Sequence, residues 1–400
     1  MPSDSNEFST AEPRLIEAWV PIASSFLGIC TAFSLSAMIG PMLVPMGNEF
    51  EMSVPALGQL ATLTFLPWGL SASLIGPISD RYGRKRILLA GLAGLSISSV
   101  AAAAASDYMS LAACRILTGA CGGLVPPSCL AALTDQFTGR RRGHAIAIGA
   151  TGYSVSLLVG LPLSALLTGH YGWRWAFVLA AIFAAGTFFL TVALFPPGEK
   201  RGLPKSYLSS FAWMHSAAPW YGIGANILER FMIAVFNTYV SAFILRRYGV
   251  SLTALSWILT AITIGNFFGS LAGGGVMGQR WRYASLVAAL LIEGTTLCWI
   301  FVAGPALPAV IATGFLFSFL TGVSRSTLVD TLSNVAPQDR GTIIGFFATS
   351  NQVGYALGAS LGGLAIAWGG YGALGMVCFF SGAGGAVFYM KLGRRVLTSD

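Results

Sequence analysis

Charge is scarce in this chain of 400 residues: 15 acidic and 23 basic side chains, 10% of the total, against 55% hydrophobic. A soluble domain carries about 25% charged residues, so the polar surface that water requires is missing. Histidine is nearly absent, with only His144, His170 and His215. A Gly-x-Ser-x-Gly pattern occurs at Gly358–Gly362, but inside an apolar helical run instead of a strand-turn-helix, so an intramembrane enzyme is a remote reading. No Walker-A run is present, which removes the usual ATP-driven engine. The six cysteines lie in apolar runs without metal-ligand spacing and read as packing residues. No metal site and no cofactor is expected. A cleavable leader is not expected either, because the first apolar run is too long and acids precede it.

What the chain has in abundance is apolar runs long enough to cross a bilayer as helices, about 20 residues each. Twelve are read, numbered helix 1 to helix 12: 19–46, 54–78, 87–105, 108–133, 143–168, 175–196, 219–244, 252–276, 283–304, 307–332, 342–367 and 372–391. Backbone amides in lipid must pair within their own segment, so these runs are helical. The net charge of +8 is asymmetric: only Arg174, Arg246 and Arg247 fall on one side, and Arg115, Arg230 and Arg325 fall within helices. Every other Lys and Arg falls on the opposite side, which the positive-inside rule makes cytoplasmic, with both termini. This distribution points to a plasma-membrane (inner-membrane) protein embedded in lipid and argues against a nucleic-acid partner.

The longest polar connection, Pro196 to Ser216, has six helices on either side. The halves are weak repeats: Gly143 matches Gly341 and Gly160 matches Gly358, each 198 positions apart. The expected domains are a cytoplasmic segment 1–18, a six-helix bundle 19–196, a linker 197–217, a second six-helix bundle 218–392 and a tail 393–400. The fold class is all-α integral membrane, with twelve transmembrane helices in two pseudo-symmetric bundles around a central cavity.

Several motifs carry a family likeness. GPISDRYGRKR (Gly76–Arg86) follows helix 2, RILTGACGG (Arg115–Gly123) lies in helix 4, VGLPLSALL (Val159–Leu167) in helix 5, and GWRWAF (Gly172–Phe177) precedes helix 6. Together they resemble the major facilitator superfamily, and within it the drug-proton antiporter branch that includes arabinose- and nucleoside-efflux-like permeases. The resemblance implies a conformational latch at Gly76, Asp80, Arg81, Gly83 and Arg84, and a role in substrate contact or proton transfer for Arg115. It implies that helices 1, 4, 7 and 10 line the cavity. Gly152, Gly160 and Pro162 set a bend in helix 5. Helix 1 lacks the acid that many exporters of the family carry.

Asn226, Arg230, Asn237 and Ser241 of helix 7 fall within about 60° on one helical face. Ser318, Thr321 and Arg325 continue such a polar face on helix 10. The candidate substrate-binding set is therefore Arg115, Asn226, Arg230, Asn237, Ser318, Thr321 and Arg325. Three arginines suit a carboxylate, sulfonate or phosphate, which a guanidinium holds with two parallel hydrogen bonds. Of the few acids within helices, Glu229 is the candidate proton-coupling residue, the kind of group that relays protons in membranes. Glu293 falls on helix 9, a scaffold position, and Asp330 is read as an interhelical lock. The expected function is secondary active transport, proton-coupled export of a small organic solute, by a monomer. Proton-coupled uptake of an organic anion is the alternative, and a non-transporting receptor or assembly factor is the remote one.

Overall fold

The computed structural model describes residues 15–195, 217–276, 281–335 and 340–397. Within these, the side chains at 15–18, 76, 77, 80, 140, 274, 276, 326, 329–335, 340–345 and 395–397 lie outside the description. The expected linker and the terminal segments fall largely outside it as well, as do the side chains of Gly76, Asp80 and Asp330.

Among the described residues the chain makes twelve helical spans, and several are interrupted where proline dictates. Helix 1 is Leu15–Ala37 followed by Ile39–Phe50. Helix 2 is Val54–Tyr82 and helix 3 is Arg84–Ala103. Helix 4 is Tyr108–Gly122 and Val125–Gln136. Helix 5 is Gly139–Val155, a π-helical turn Ser156–Gly160, and Leu161–Tyr171. Helix 6 is Trp173–Leu194. A proline ring clashes with the carbonyl four residues earlier and donates no hydrogen bond. Pro41 sits four after Ala37, Pro126 four after Gly122, and Pro162 four after Leu158 in the π turn, so each interruption has the same cause.

The second half repeats the pattern. Helix 7 is Ala217–Tyr248, helix 8 Leu252–Val276, helix 9 Arg282–Cys298 with a π turn Trp299–Ala303, and helix 10 Leu307–Val335. Helices 11 and 12 form one stretch, Arg340–Leu397, broken at Gly369 and Gly370. Ten stretches are long and apolar enough to cross a membrane, one of them this double span. Trp19, Trp220 and Trp281 are exposed toward the end that carries the termini, and Trp175, Trp299 and Trp368 toward the far end. Two aromatic belts of this kind mark the interfaces of a bilayer.

The first bundle is knitted by charge at the terminal end. Gly83 turns helix 2 into helix 3 alone, at φ +93°, a conformation only glycine adopts without strain. The next residue, Arg84, donates Nε to Asp135 of helix 4 at 3.2 Å and also reaches Ser79. Lys85 Nζ donates to the carbonyls of Val192 (2.9 Å) and Phe195 (2.5 Å), satisfying the end of helix 6. Of the anticipated latch, Arg84 thus binds helices 2, 3 and 4 of its own bundle, while Arg81 lies exposed over the Tyr82 ring.

Candidate functional site

Helix 7 carries Asn226, Glu229 and Arg230 at spacings that bring all three to one face within about a turn, completely or almost completely buried. Arg230 Nε donates to Asn226 Oδ1 at 3.1 Å. The amide of Asn226 is thereby oriented, and its Nδ2 donates to Ser350 Oγ (2.8 Å) and Asn351 Oδ1 (2.9 Å) on helix 11. Arg230 Nη2 approaches Glu229 Oε1 at 3.8 Å, an ion pair without a hydrogen bond. Among the described residues neither Glu229 oxygen nor Arg230 Nη2 makes a well-formed hydrogen bond, and the hydroxyl of Tyr389 on helix 12 stands beside the Glu229 carboxyl. The site therefore holds donors and acceptors not yet committed to the protein.

A second tier crosses between the halves. The Arg325 guanidinium of helix 10 lies 3.5 Å from the centroid of the Tyr153 ring on helix 5. The Tyr153 hydroxyl meets that of Tyr355 on helix 11 at 3.2 Å. Phe33 packs edge-on to Tyr153 at 4.7 Å, and Phe65 packs on Tyr355 at 5.0 Å. These four rings, with Ser36 and Asn237, border a cavity of about 30 Å³ between the bundles. That is room for about two waters.

The sequence-derived candidates divide into groups. Asn226 and Arg230 share one network, Asn237 borders the cavity, and Arg325 stacks on a tyrosine that also borders it. Ser318 and Thr321 turn toward helix 8, where Asn266 donates to the Ser318 carbonyl (3.5 Å) and Thr321 Oγ1 (3.2 Å). Arg115 is fully buried within the first bundle: Nε donates to Thr64 Oγ1 (2.9 Å) and Nη1 to the Leu35 carbonyl (3.0 Å). On helix 5, Gly152 and Gly160 lie against helix 1, beside Phe26 and Ser34, and Pro162 follows the π turn.

Tyr153, Tyr355, Ser350 and Asn351 were not among those candidates. One signal for them was in the internal repeat: Ala150-Thr151 matches Ala348-Thr349 at the same offset of 198, and the same offset carries Tyr153 onto Asn351. Both repeat positions end at the arginine-bearing centre.

A buried polar centre between two six-helix bundles, with a small cavity beside it, is the architecture of a membrane transporter. A model of the Major Facilitator Superfamily matches residues 25–218 and 222–398, and the chain belongs to that family of transporters. It is 23% identical over 336 residues to the uncharacterized MFS-type transporter YceJ of Bacillus subtilis, covering 82% of this chain and 84% of that one. A gallate transporter of Pseudomonas putida is 31% identical over 176 residues, 43% of this chain and 38% of the relative. The fold matches the crystal structure of a D-xylose-proton symporter with a TM-score of 0.80 at 14% identity, over 94% of this chain and 97% of the other.

Proposed function

We propose that the chain is a secondary active transporter that moves a small organic anion together with protons by alternating access. The observation that carries this reading is the adjacency of Glu229 and Arg230, 3.8 Å apart, out of water and with unspent hydrogen-bonding capacity. An anion gains the whole of Arg230 only when Glu229 releases it, and a proton on Glu229 does so. Proton and anion then favour each other's binding, and such coupling is reciprocal. Ligands that favour each other travel together, whereas ligands that compete are exchanged. Arg325 offers a second guanidinium, and the gallate-transporting relative makes aromatic carboxylates the first solutes to try.

Export in exchange for protons is the second reading. It rests on the exporter-like motif of helix 5, whose Gly160 closes a π turn that Pro162 follows, an irregularity often found at functional positions. The test is flux into sealed vesicles containing the purified chain, with a pH gradient imposed in either direction. Benzoate, gallate, a sulfonate and a phosphate monoester serve as probes. Anion accumulation driven by an acidic exterior is the expected result; expulsion driven by inward proton flow overturns symport in favour of export. The proposal includes a monomer in the plasma membrane with both termini cytoplasmic. Cysteine labelling beside Gly83 and Gly304 from either face of intact cells checks that orientation.

A further inference from the structure

We propose that Glu293 is a second proton-binding group, which holds a proton at neutral pH and exchanges it with Glu229. Helix 9 exposes Leu291 and Ile292 on one side, while Glu293 lies completely buried on its inward side, beside Ala289, Leu290 and Leu297. Three helices pack against it. Helix 7 presents Glu229 and Arg230, helix 10 presents Ser324, and helix 12 presents Tyr389. The only hydrogen bond to the carboxyl among the described residues is a long one, from Ser324 Oγ to Oε1 at 3.5 Å. Its Oε2 has no partner, and no described cation lies within ion-pair distance.

A buried carboxylate persists as an anion only when a cation or several donors face it. Arg230 already pairs with Glu229 and lies beyond ion-pair distance of Glu293. The neutral acid is therefore the resting form of Glu293, with the proton on the oxygen that lacks a donor. Transfer takes the proton from Glu293 Oε2 to a carboxylate oxygen of Glu229, leaving Glu293 ionised and Glu229 neutral, with no other reactant consumed. Tyr389, whose hydroxyl stands beside the Glu229 carboxyl and near Glu293, is the group able to bridge them. A proton held there never touches the solute, so the site stores a proton without occupying the anion's place.

This inference deepens the proton–anion reading, but its principal test does not require transport. Infrared spectra of the full chain in lipid vesicles near neutral pH should contain the carbonyl stretch of a protonated carboxyl, shifted in heavy water. The band should vanish in Glu293→Gln and survive in Glu229→Gln. Absence of the band, or its survival in Glu293→Gln, overturns the proposal. Should Glu293→Gln not fold, Glu293→Asp and Ser324→Ala take its place. Each should move the band, and an unmoved band in both overturns the proposal equally. If the band behaves as expected while neither benzoate nor gallate accumulates in response to pH, the proton site stands and the symport reading loses its support. Anion accumulation without the band defeats this inference alone.

Discussion

Arg115, Arg230 and Arg325 lie deep within the spans, and their surroundings give them different work. Arg115 donates Nε to Thr64 and Nη1 to the carbonyl of Leu35, tying helix 4 to helices 2 and 1, while its Nη2 has no partner among the described residues. Replacing it with Gln leaves a buried carbonyl and hydroxyl without a donor, each costing about 1–3 kcal/mol. Arg115→Gln should therefore lower the melting temperature in detergent by several degrees, measured by scanning fluorimetry, whichever solute is present. Arg230 and Arg325 instead stand at the interface of the halves. The acid beside Arg230 yields a sharper prediction. Glu229→Gln mimics the protonated residue, so anion binding should lose its dependence on pH. At alkaline pH the variant should bind more tightly than the unaltered protein, by about tenfold if removing the competing carboxylate lets Arg230 give the anion one more charge-assisted hydrogen bond. Titration calorimetry across pH, using an anion found in the vesicle flux experiment, decides it. The helix-7 part of this site was legible in sequence because polar residues on a membrane helix stand out at helical spacing. Tyr153 and Tyr355 were not, because a tyrosine in a membrane helix is as compatible with lipid as with a site. Their meeting depends on packing between residues 202 positions apart in sequence.

At the scale of elements, the twelve spans were readable from apolar length, but their internal breaks were not. A break depends on whether a proline's clash is absorbed by a kink, a π turn or a split helix, and packing against neighbours selects among these. Helix 5 shows the consequence. Its π turn precedes Pro162, and Gly152 lies so close to helix 1 that an added Cβ would stand 2.5 Å from the carbonyl of Phe26. Backbone cannot yield as a flexible side chain does. Gly152→Ala should therefore force the helices apart at a cost of about 1–3 kcal/mol, seen as a lower melting temperature and slower transport. Helix 4 offers a different test at its start. Asp107 accepts the backbone N–H of Ser110 at 2.8 Å, while Ser110 Oγ accepts from the backbone of Asp107, a reciprocal cap. The Ser110 N–H holds the Asp107 carboxyl below its usual range. A depressed folded-state value stabilises above the unfolded value and is lost as the pH falls through the folded one. Melting temperatures of wild type and Asp107→Asn, compared across acid pH, should thus differ most near neutrality and converge in acid.

For the whole molecule, the two bundles are joined most visibly at the end opposite the termini. Gln59 Nε2 of helix 2 donates to the Ser360 carbonyl of helix 11 at 3.3 Å, and Thr62 donates to the Ala356 carbonyl at 3.4 Å. Helix 5 meets helix 8 nearby, where Thr253 lies 3.4 Å from His170. Gly40 of helix 1 lies against the backbone of Asn237 on helix 7, too near for any side chain. Such a seam closes the small cavity from the far side, and alternating access requires it to part once per cycle. The hydrogen bonds across it are few, long and neutral, each contributing about 1 kcal/mol or less, which suits a surface that must separate repeatedly. A covalent bridge should be intolerable there. In a background where the six native cysteines, all free thiols, have been replaced, Gln59→Cys with Ser360→Cys places two thiols across the seam. A short reagent with a cleavable disulfide spacer should join them and stop vesicle transport, and a reductant should restore it. Each single variant treated identically should keep transporting. Full transport by the bridged protein would mean that this seam never opens, and the path of the solute would then have to leave the interface between the halves.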